Sequence, residues 1–252
     1  MKAIITGAGG GIGEAIAKRF AQDKAKLGEA AELLLVDVNV DAVQRVAEDL
    51  SGIARITTLH GDLGDADFPE QVIRKAEHAL GGIDTLISNA AVNYKAALED
   101  FTINQFDRTL AVNTRATWLL AKAARPLLAE SRGSLIAIAS IAGDHPGPGV
   151  GAYSISKAAL IMLIRQMALE WGGLGIRFNC VSPGTIVTGL SPERYATEAQ
   201  RELARSRNPL GMLGMPEHIS GIVAFLAGPD ASYINGSNVI VDGGKQTTLM
   251  KS

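Results

Sequence analysis

Short apolar runs alternate with longer amphipathic segments along most of the chain. The apolar runs predict seven strands, the third and fourth of which continue into a turn or loop, at 2–6, 33–37, 55–63, 83–91, 133–140, 177–184 and 237–244. Helical spacing predicts helices at 12–21, 40–50, 68–80, 105–130, 152–171 and 216–228. This alternation, without repeats or linkers, predicts an α/β fold: one doubly wound domain over residues 1–252, with a seven-stranded parallel sheet flanked by helices.

Two polar stretches interrupt the pattern. Residues 22–32 connect the first helix to the second strand, and we interpret them as an insertion. Residues 185–215 are helix-prone but irregular, and 189–215 are predicted to cover a site at the strand ends. The apolar residues of this covering segment either line a pocket or pack the segment onto the domain, which leaves the substrate open. They are Leu190, Tyr195, Leu203, Leu210, Met212 and Leu213, among charges such as Arg194, Arg201 and Arg205.

A glycine-rich turn joins the first strand to the first helix, with Gly7, Gly11 and Gly13 as its marker positions. Glycines allow the backbone to approach a pyrophosphate closely, and a helix N-terminus directs free N–H groups at it. A merely flexible turn has similar composition, but the position between a strand and a helix favours nucleotide binding. Right-handed crossovers place this turn and the motifs below at one edge of the sheet.

Asp37 closes the second predicted strand. A carboxylate at this position can accept both hydroxyls of an adenosine ribose, and it would repel a 2′-phosphate. An aspartate that only caps a turn or helix is the alternative. Gly10 and Val38, where a basic residue could grip a phosphate, are neutral. The sequence therefore predicts NAD rather than NADP as the cofactor.

The next two strand ends add candidates for the same nucleotide. Asp62 and Leu63 could hold an adenine amino group and pack against its ring, although a simple turn aspartate fits the local sequence nearly as well. Asn89 is followed by two alanines, whose small size leaves room for a ribose. Its side chain could bind either that ribose or the backbone.

Tyr153 and Lys157 lie four residues apart in a predicted helix, so both side chains share one face. A free phenol titrates near pH ~10 and is a poor base at neutral pH. One cation at ~4 Å provides about the 4 kcal/mol needed to lower that pKa by about 3 units at an effective dielectric constant of ~20. An ordinary amphipathic helix would explain an isolated pair equally well, so the remaining motifs decide between the two interpretations.

Composition excludes several classes of partner. The 24 basic and 26 acidic residues leave a net charge of -2, which argues against a nucleic-acid or acidic-lipid surface. Cys180 is the only cysteine and the four histidines are scattered, so no metal site is expected. No apolar run reaches the ~18 residues that a membrane span requires, and the N-terminus lacks a signal-peptide core. We expect a cytoplasmic protein.

Taken together, the motifs resemble those of the short-chain dehydrogenase/reductase family, over residues 2–244. In order, they are Thr6-Gly7-x3-Gly11-x-Gly13, Asp62-Leu63, Asn89-Ala90-Ala91, Asn113, Ser140, Tyr153-x3-Lys157 and Pro183-Gly184. One departure is Ser88-Asn89-Ala90-Ala91, where the family has Asn-Asn-Ala-Gly. This change puts only fine positioning in doubt.

The resemblance implies a nicotinamide-dependent oxidoreductase that acts on alcohols and carbonyls, built on a Rossmann domain. It makes Tyr153 the general acid/base, with Lys157 lowering its pKa and binding the nicotinamide ribose. It assigns Ser140 to the substrate oxygen and Asn113 to a water that links Lys157 to solvent. The further cofactor contacts that it implies, from the pyrophosphate to the carboxamide, are Ile12, Pro183, Gly184, Ile186 and Thr188.

Three further points stay open at this stage. His145 follows Ser140 closely and either contacts the substrate or is an ordinary loop residue. Helices 105–130 and 152–171 are apolar on more than one side, which predicts that a second subunit covers them in a homodimer or homotetramer. Two other functions compete on this fold: a reductase of acyl-carrier-protein thioesters, which would want NADPH and a basic patch, and a non-catalytic nucleotide-binding regulator.

Overall fold

A computed structural model describes residues 1–189 and 195–248 of the protein. Within these ranges, seven parallel strands form one sheet in the order β3-β2-β1-β4-β5-β6-β7. The strands are β1 Lys2–Thr6, β2 Ala31–Asp37, β3 Ala54–His60, β4 Thr85–Ser88, β5 Ser134–Ile138, β6 Arg177–Pro183 and β7 Asn238–Val241. The order reverses between β1 and β4, and a crevice opens at the carboxyl ends of strands at such a reversal. The predicted fold is therefore confirmed.

Helices cover both faces of the sheet. They are α1 Gly11–Lys26, α2 Val40–Leu50, α3 Phe68–Leu80, α4 Ile103–Leu110, α5 Ala116–Ser131, α6 Gly151–Trp171, α7 Glu198–Ser206 and α8 Pro216–Ala227. Helices α3, α5 and α6 pack on one core layer, and α1, α2 and α8 pack on the other. In β2, Leu34 faces the first layer while Leu33 and Leu35 face the second, and all three are fully buried. Burial on both faces explains the unbroken apolar runs.

The polar stretch 22–32 is not simply an inserted loop. Helix α1 continues through its first five residues and ends at Lys26, beyond the predicted end at residue 21. The extra turn is exposed, and Asp23 pairs there with Arg19 and Lys26. Its polar composition hid the helix because an exposed turn needs no apolar residue.

The predicted helix 105–130 is divided into two. Helix α4 ends at Leu110, a single π-helical turn follows at Ala111–Arg115, and α5 begins at Ala116. A π-helical turn inserts one extra residue into a helix and changes the direction in which its side chains point. In this protein that turn carries Asn113, whose position in the site is described below.

The segment after β6 folds back on itself. Ile186 and Gly214 form an isolated parallel bridge, and the Val187 N–H donates to the Gly214 carbonyl at 2.9 Å. Between them, α7 begins with a capping box in which Thr197 and Gln200 bond each other's backbone N–H groups. Leu190 and Arg194 of the predicted covering segment lie outside the described residues. Within the described parts, no helix has the length and apolar character needed to cross a membrane.

Candidate active site

A cavity of about 720 Å³ opens at the carboxyl ends of the strands. Its walls come from the loops after β4, β5 and β6, from the first turns of α6 and from the segment that carries α7. Nine of the predicted site residues line it: Ile12, Asn89, Ser140, Tyr153, Lys157, Pro183, Gly184, Ile186 and Thr188. The fold therefore brings together motifs that are spread over almost the whole chain.

The Ser140 and Tyr153 side chains line the same cavity, and the Ser140 hydroxyl acts to lower the pKa of the Tyr153 phenol. Ser140 follows β5 with an extended backbone and caps the short helical turn Ile141–Gly143, where its Oγ accepts from the Ala142 N–H at 3.1 Å. Tyr153 stands in the first turn of α6. The end of a strand and the start of a helix thus present two hydroxyl groups to one point of the cavity.

Burial dominates the pKa of Tyr153 in this structure, and the predicted lowering of that pKa by Lys157 stays a prediction. Burial raises the pKa of the Tyr153 phenol, and the Ser140 hydroxyl only partly opposes that rise. The Lys157 ammonium is itself buried, donates to the Ile138 carbonyl at 2.7 Å and stands 5.6 Å from the centre of the Tyr153 ring. Burial lowers the pKa of Lys157 to about 8. In both residues burial disfavours the charged form, which raises the pKa of the phenol and lowers the pKa of the ammonium.

Asn113 connects the loop after β4 to α6. Its Oδ1 accepts from the Val92 N–H at 2.8 Å, and its Nδ2 donates to the Val92 carbonyl at 2.9 Å and to Ser156 Oγ at 3.0 Å. Ser156 Oγ in turn donates to the Tyr153 carbonyl at 2.7 Å. The Asn113 amide is therefore occupied by protein groups, and its predicted part in a water link to Lys157 stays a prediction.

The glycine turn has the geometry of a phosphate cradle. Gly7 has a positive φ of 64°, and a Cβ on Gly13 would overlap the Gly7 carbonyl, so side chains are excluded there. Gly10 precedes α1 without a side-chain cap and faces open space, which leaves the first N–H groups of the helix available to a ligand. Asn89 Nδ2 donates to the Thr6 and Gly7 carbonyls at 3.0 Å each. The sequence predicts that Asn89 binds either a ribose or the backbone, and in this structure it binds the backbone.

The carboxylate of Asp37 lies against this turn. It accepts from the Gly9 N–H at 2.8 Å and from the Asn39 N–H at 2.9 Å. The turn and the carboxylate together fit the pyrophosphate and adenosine ribose of a dinucleotide, because they offer N–H donors to the first and acceptor oxygens to the second.

At the end of β3, the Asp62 carboxylate is bonded to other groups of the protein. Asp62 pairs with Arg108 at 2.7 Å and accepts from the Gly64 N–H at 2.8 Å. The hydrogen bond from Arg108 holds the pKa of this carboxyl below its usual range. Leu63 is 6% exposed and belongs to the core. Contact of this pair with an adenine ring stays a prediction.

The covering segment contributes part of the cavity wall. Tyr195, Leu203, Met212 and Leu213 line the cavity, whereas Leu210 is 68% exposed and does not. The two arginines at 201 and 205 pair with acidic residues of α7 instead. His145 also lines the cavity. The apolar residues of this segment thus form both a pocket wall and a surface.

Several lining residues were not identified from the sequence. They include Asn93, Val150, Gln200, Arg207, Asp242 and Lys245. For Asn93 a signal existed, because it stands four residues after Asn89 in the loop that follows β4. For the others the local sequence carries no comparable mark, because the start of α6 brings Val150 to the cavity and the packing of the last third of the chain brings the rest.

Comparison with known proteins places the chain in one family. A family model described as enoyl-(acyl carrier protein) reductase matches residues 7–246. Dehydrogenase/reductase SDR family member 4 of Oryctolagus cuniculus is 40% identical over 251 residues, covering 98% of this chain and 94% of that protein. Meso-2,3-butanediol dehydrogenase of Serratia marcescens is 35% identical over 241 residues, covering 96% and 92%. A blue fluorescent protein from a metagenomic library, solved in complex with NADPH, is 32% identical with a TM-score of 0.87 and 96% of both chains covered. The chain belongs to the short-chain dehydrogenase/reductase family of nicotinamide-dependent oxidoreductases.

Proposed function

We propose that the protein is an NAD-dependent oxidoreductase that interconverts a secondary alcohol and the corresponding ketone, with Tyr153 as the general acid/base. The observation that carries this proposal is the placement of Ser140, Tyr153 and Lys157 on the wall of one cavity, which also reaches Ile12 of the glycine turn. The similarity to meso-2,3-butanediol dehydrogenase, an enzyme of secondary alcohols by its name, supports the same reaction class.

The two hydroxyl groups have separable tasks. Ser140 Oγ holds the substrate oxygen, and the Tyr153 hydroxyl exchanges a proton with that oxygen. When bound, the nicotinamide supplies or accepts the hydride. Because burial raises the pKa of Tyr153, the phenol stays protonated over the neutral range and is ready to donate a proton in ketone reduction. Alcohol oxidation needs the deprotonated phenol, so a positive charge near it becomes more important in that direction.

Lys157 is suited to hold the cofactor as well as to influence Tyr153. An ammonium group has three N–H donors, and the Ile138 carbonyl uses one of them. The remaining donors are available to the hydroxyls of a nicotinamide ribose. With a pKa of about 8, the group is still mostly charged at neutral pH.

The preference for NAD rests on Asp37. Its carboxylate beside the glycine turn offers acceptor oxygens to ribose hydroxyls and repels a 2′-phosphate. The relative solved with NADPH shows that the family includes proteins that bind the phosphorylated cofactor, so the choice depends on this chain's own residues.

Two other functions compete on this fold. The description of the matching family model favours an acyl-carrier-protein reductase. Against it, the net charge is -2, and Arg201 and Arg205 of α7 are paired with Glu198 and Glu202. A non-catalytic regulator would not need the Ser140, Tyr153 and Lys157 set, which is complete here.

The experiment titrates the protein with NAD and NADP and then screens small alcohols, diols and acyl thioesters for formation or loss of reduced cofactor. In the Tyr153→Phe variant we expect turnover to fall by about 10²- to 10⁴-fold while NAD binding is retained. Tyr233→Phe is the matched control, because Tyr233 is fully exposed. Near-normal turnover of Tyr153→Phe, or turnover confined to acyl thioesters with NADPH, would contradict the proposal.

A further inference from the structure

The side chain of Asn93 has a buried acceptor on the cavity wall. It lines the cavity together with Ser140 and Tyr153, and its Oδ1 is buried without a hydrogen-bond donor in the described part of the chain. The other two asparagines of this region behave differently, because the amides of Asn89 and Asn113 are bonded to the protein backbone. A buried acceptor without a partner is unfavourable, and such groups in native proteins are satisfied by water or ligand.

The backbone next to Asn93 is held firmly relative to the catalytic helix. The Val92 N–H and carbonyl both bond the Asn113 amide, at 2.8 and 2.9 Å. Asn113 bonds Ser156 Oγ at 3.0 Å, and Ser156 Oγ bonds the Tyr153 carbonyl at 2.7 Å. Four linked hydrogen bonds therefore fix the backbone beside residue 93 relative to the helix that carries Tyr153. Such a fixed position is what a residue needs to orient a ligand.

The chemistry of a carboxamide narrows the choice of ligand group. Its oxygen accepts and its nitrogen donates, and rotation about the Cβ–Cγ bond exchanges the two ends. A hydroxyl both donates and accepts, so it satisfies Asn93 in either orientation. A carboxylate can only accept, and an alkyl group can do neither.

We infer that Asn93 binds a second hydroxyl of the substrate, next to the carbinol that Ser140 and Tyr153 hold. The substrate class is then vicinal diols and the α-hydroxy ketones formed from them. In oxidation the Tyr153 phenolate would accept the proton of the carbinol oxygen and a bound nicotinamide would supply the hydride acceptor, while the second C–O bond is unchanged. This inference rests on the proposed function and names the substrate class of the same site.

The test compares each of three vicinal diols with the secondary alcohol of the same carbon skeleton, for example 2,3-butanediol with 2-butanol. We expect the wild-type protein to have a kcat/KM about 10- to 100-fold higher for the diol, because the mono-alcohol leaves Asn93 unpaired. In Asn93→Leu this ratio should fall to near one. In Asn93→Asp part of the preference should remain, because a carboxylate still accepts from a hydroxyl.

Controls separate recognition from a structural role. Asn104→Leu, on the exposed side of α4, should leave the ratio unchanged. Asn93→Leu should not lower Tm, because it removes a buried acceptor that has no partner. Equal losses for diols and mono-alcohols, a weakened Kd for NAD, or a wild-type protein that prefers mono-alcohols would overturn the inference while leaving the proposed function intact. Absence of turnover with every alcohol would instead overturn the proposed function and this inference with it.

Discussion

Burial controls the chemistry of single residues in this protein. It raises the pKa of Tyr153 and lowers the pKa of Lys157 to about 8. In both residues burial stabilises the neutral form relative to the charged form. Burial also raises the pKa of the nearby Cys180 thiol to about 12, which keeps that group protonated. A lysine held charged in such surroundings costs stability, and this cost is typical of residues kept for function.

The loss of folding stability caused by the buried Lys157 ammonium can be measured as a function of pH. Below pH 8 the lysine is protonated in both the folded and unfolded chain, so the buried charge reduces stability in full. Stability then rises with pH between about 8 and 10.5, by up to about 3 kcal/mol, as the folded protein loses the proton first. We expect Lys157→Met to raise the free energy of unfolding at pH 7 by about 1 to 3 kcal/mol while abolishing turnover, since loss of the bond to Ile138 offsets part of the gain.

Urea unfolding of the cofactor-free protein from pH 7 to 10 measures this difference. The advantage of Lys157→Met over wild type should shrink as the pH rises, because the wild-type lysine becomes neutral. Lys75→Met, at an exposed position of α3, is the control and should change stability little at any pH. A destabilised Lys157→Met protein at pH 7 would show that the buried ammonium is a net stabiliser.

We expect the choice of cofactor to depend on a single residue, Asp37. We expect Asp37→Ser to lower the ratio of kcat/KM for NAD over NADP by about 10- to 100-fold, because a negative charge next to the 2′-phosphate is removed. Serine still offers an acceptor to the Gly9 N–H, so the turn should keep its shape. Asp41→Ser, in the first turn of α2, controls for a general change of charge. An unchanged ratio would assign the choice of cofactor to other residues.

At the scale of elements, the site depends on where helices begin and where one is interrupted. The β1–α1 turn must pass close to Asn89, and the π-helical turn at Ala111–Arg115 directs Asn113 toward Val92 and α6. In both places an asparagine joins a loop to a neighbouring element through backbone bonds. The cavity is therefore built by contacts between elements that are distant in sequence.

Substitutions at two glycines of the β1–α1 turn should affect different properties, namely folding stability at Gly13 and NAD binding at Gly10. A Cβ on Gly13 would overlap the Gly7 carbonyl, so Gly13→Ala should lower the free energy of unfolding by about 1 to 3 kcal/mol. A Cβ on Gly10 would meet nothing within 4 Å, so Gly10→Ala should leave Tm of the cofactor-free protein unchanged. Because Gly10 faces the open space at the N-terminus of α1, the same change should weaken the Kd for NAD. Thermal unfolding without cofactor, followed by a binding titration, checks both outcomes, and equal Tm values for the two variants would contradict this account.

At the scale of the whole molecule, one face of a single chain remains apolar. A single subunit leaves part of both long helices exposed, and their cover by a second subunit stays a prediction. On α6, Ile155, Met162 and Leu169 follow one another at seven-residue spacing and are 42%, 58% and 80% exposed. Trp118 on α5 is 41% exposed. A stripe of this kind marks an interaction site, which supports the homodimer or homotetramer as a proposal.

Light scattering at micromolar concentration tests this assembly. The wild-type protein should have at least twice the 26.4 kDa mass of one chain. The double variant Met162→Glu/Leu169→Glu should have a lower mass, because two charges would be buried in the interface. Leu27→Glu, at a residue 70% exposed after α1, is the control and should keep the wild-type mass. A monomeric wild-type protein would exclude the assembly.

The sequence by itself determined the strands, most helices and the motifs at the strand ends, because continuous apolar runs and local spacing reflect which faces are buried. It correctly placed β2, α2 and α3, and it brought Ser140 and Tyr153 to one site. Only the tertiary structure decided the extension of α1, the π-helical turn at Asn113 and the unpaired amide of Asn93. It also decided the direction of the pKa change of Tyr153. These properties depend on which distant groups pack against a residue and on how much water they exclude, and no local pattern of side chains records either quantity.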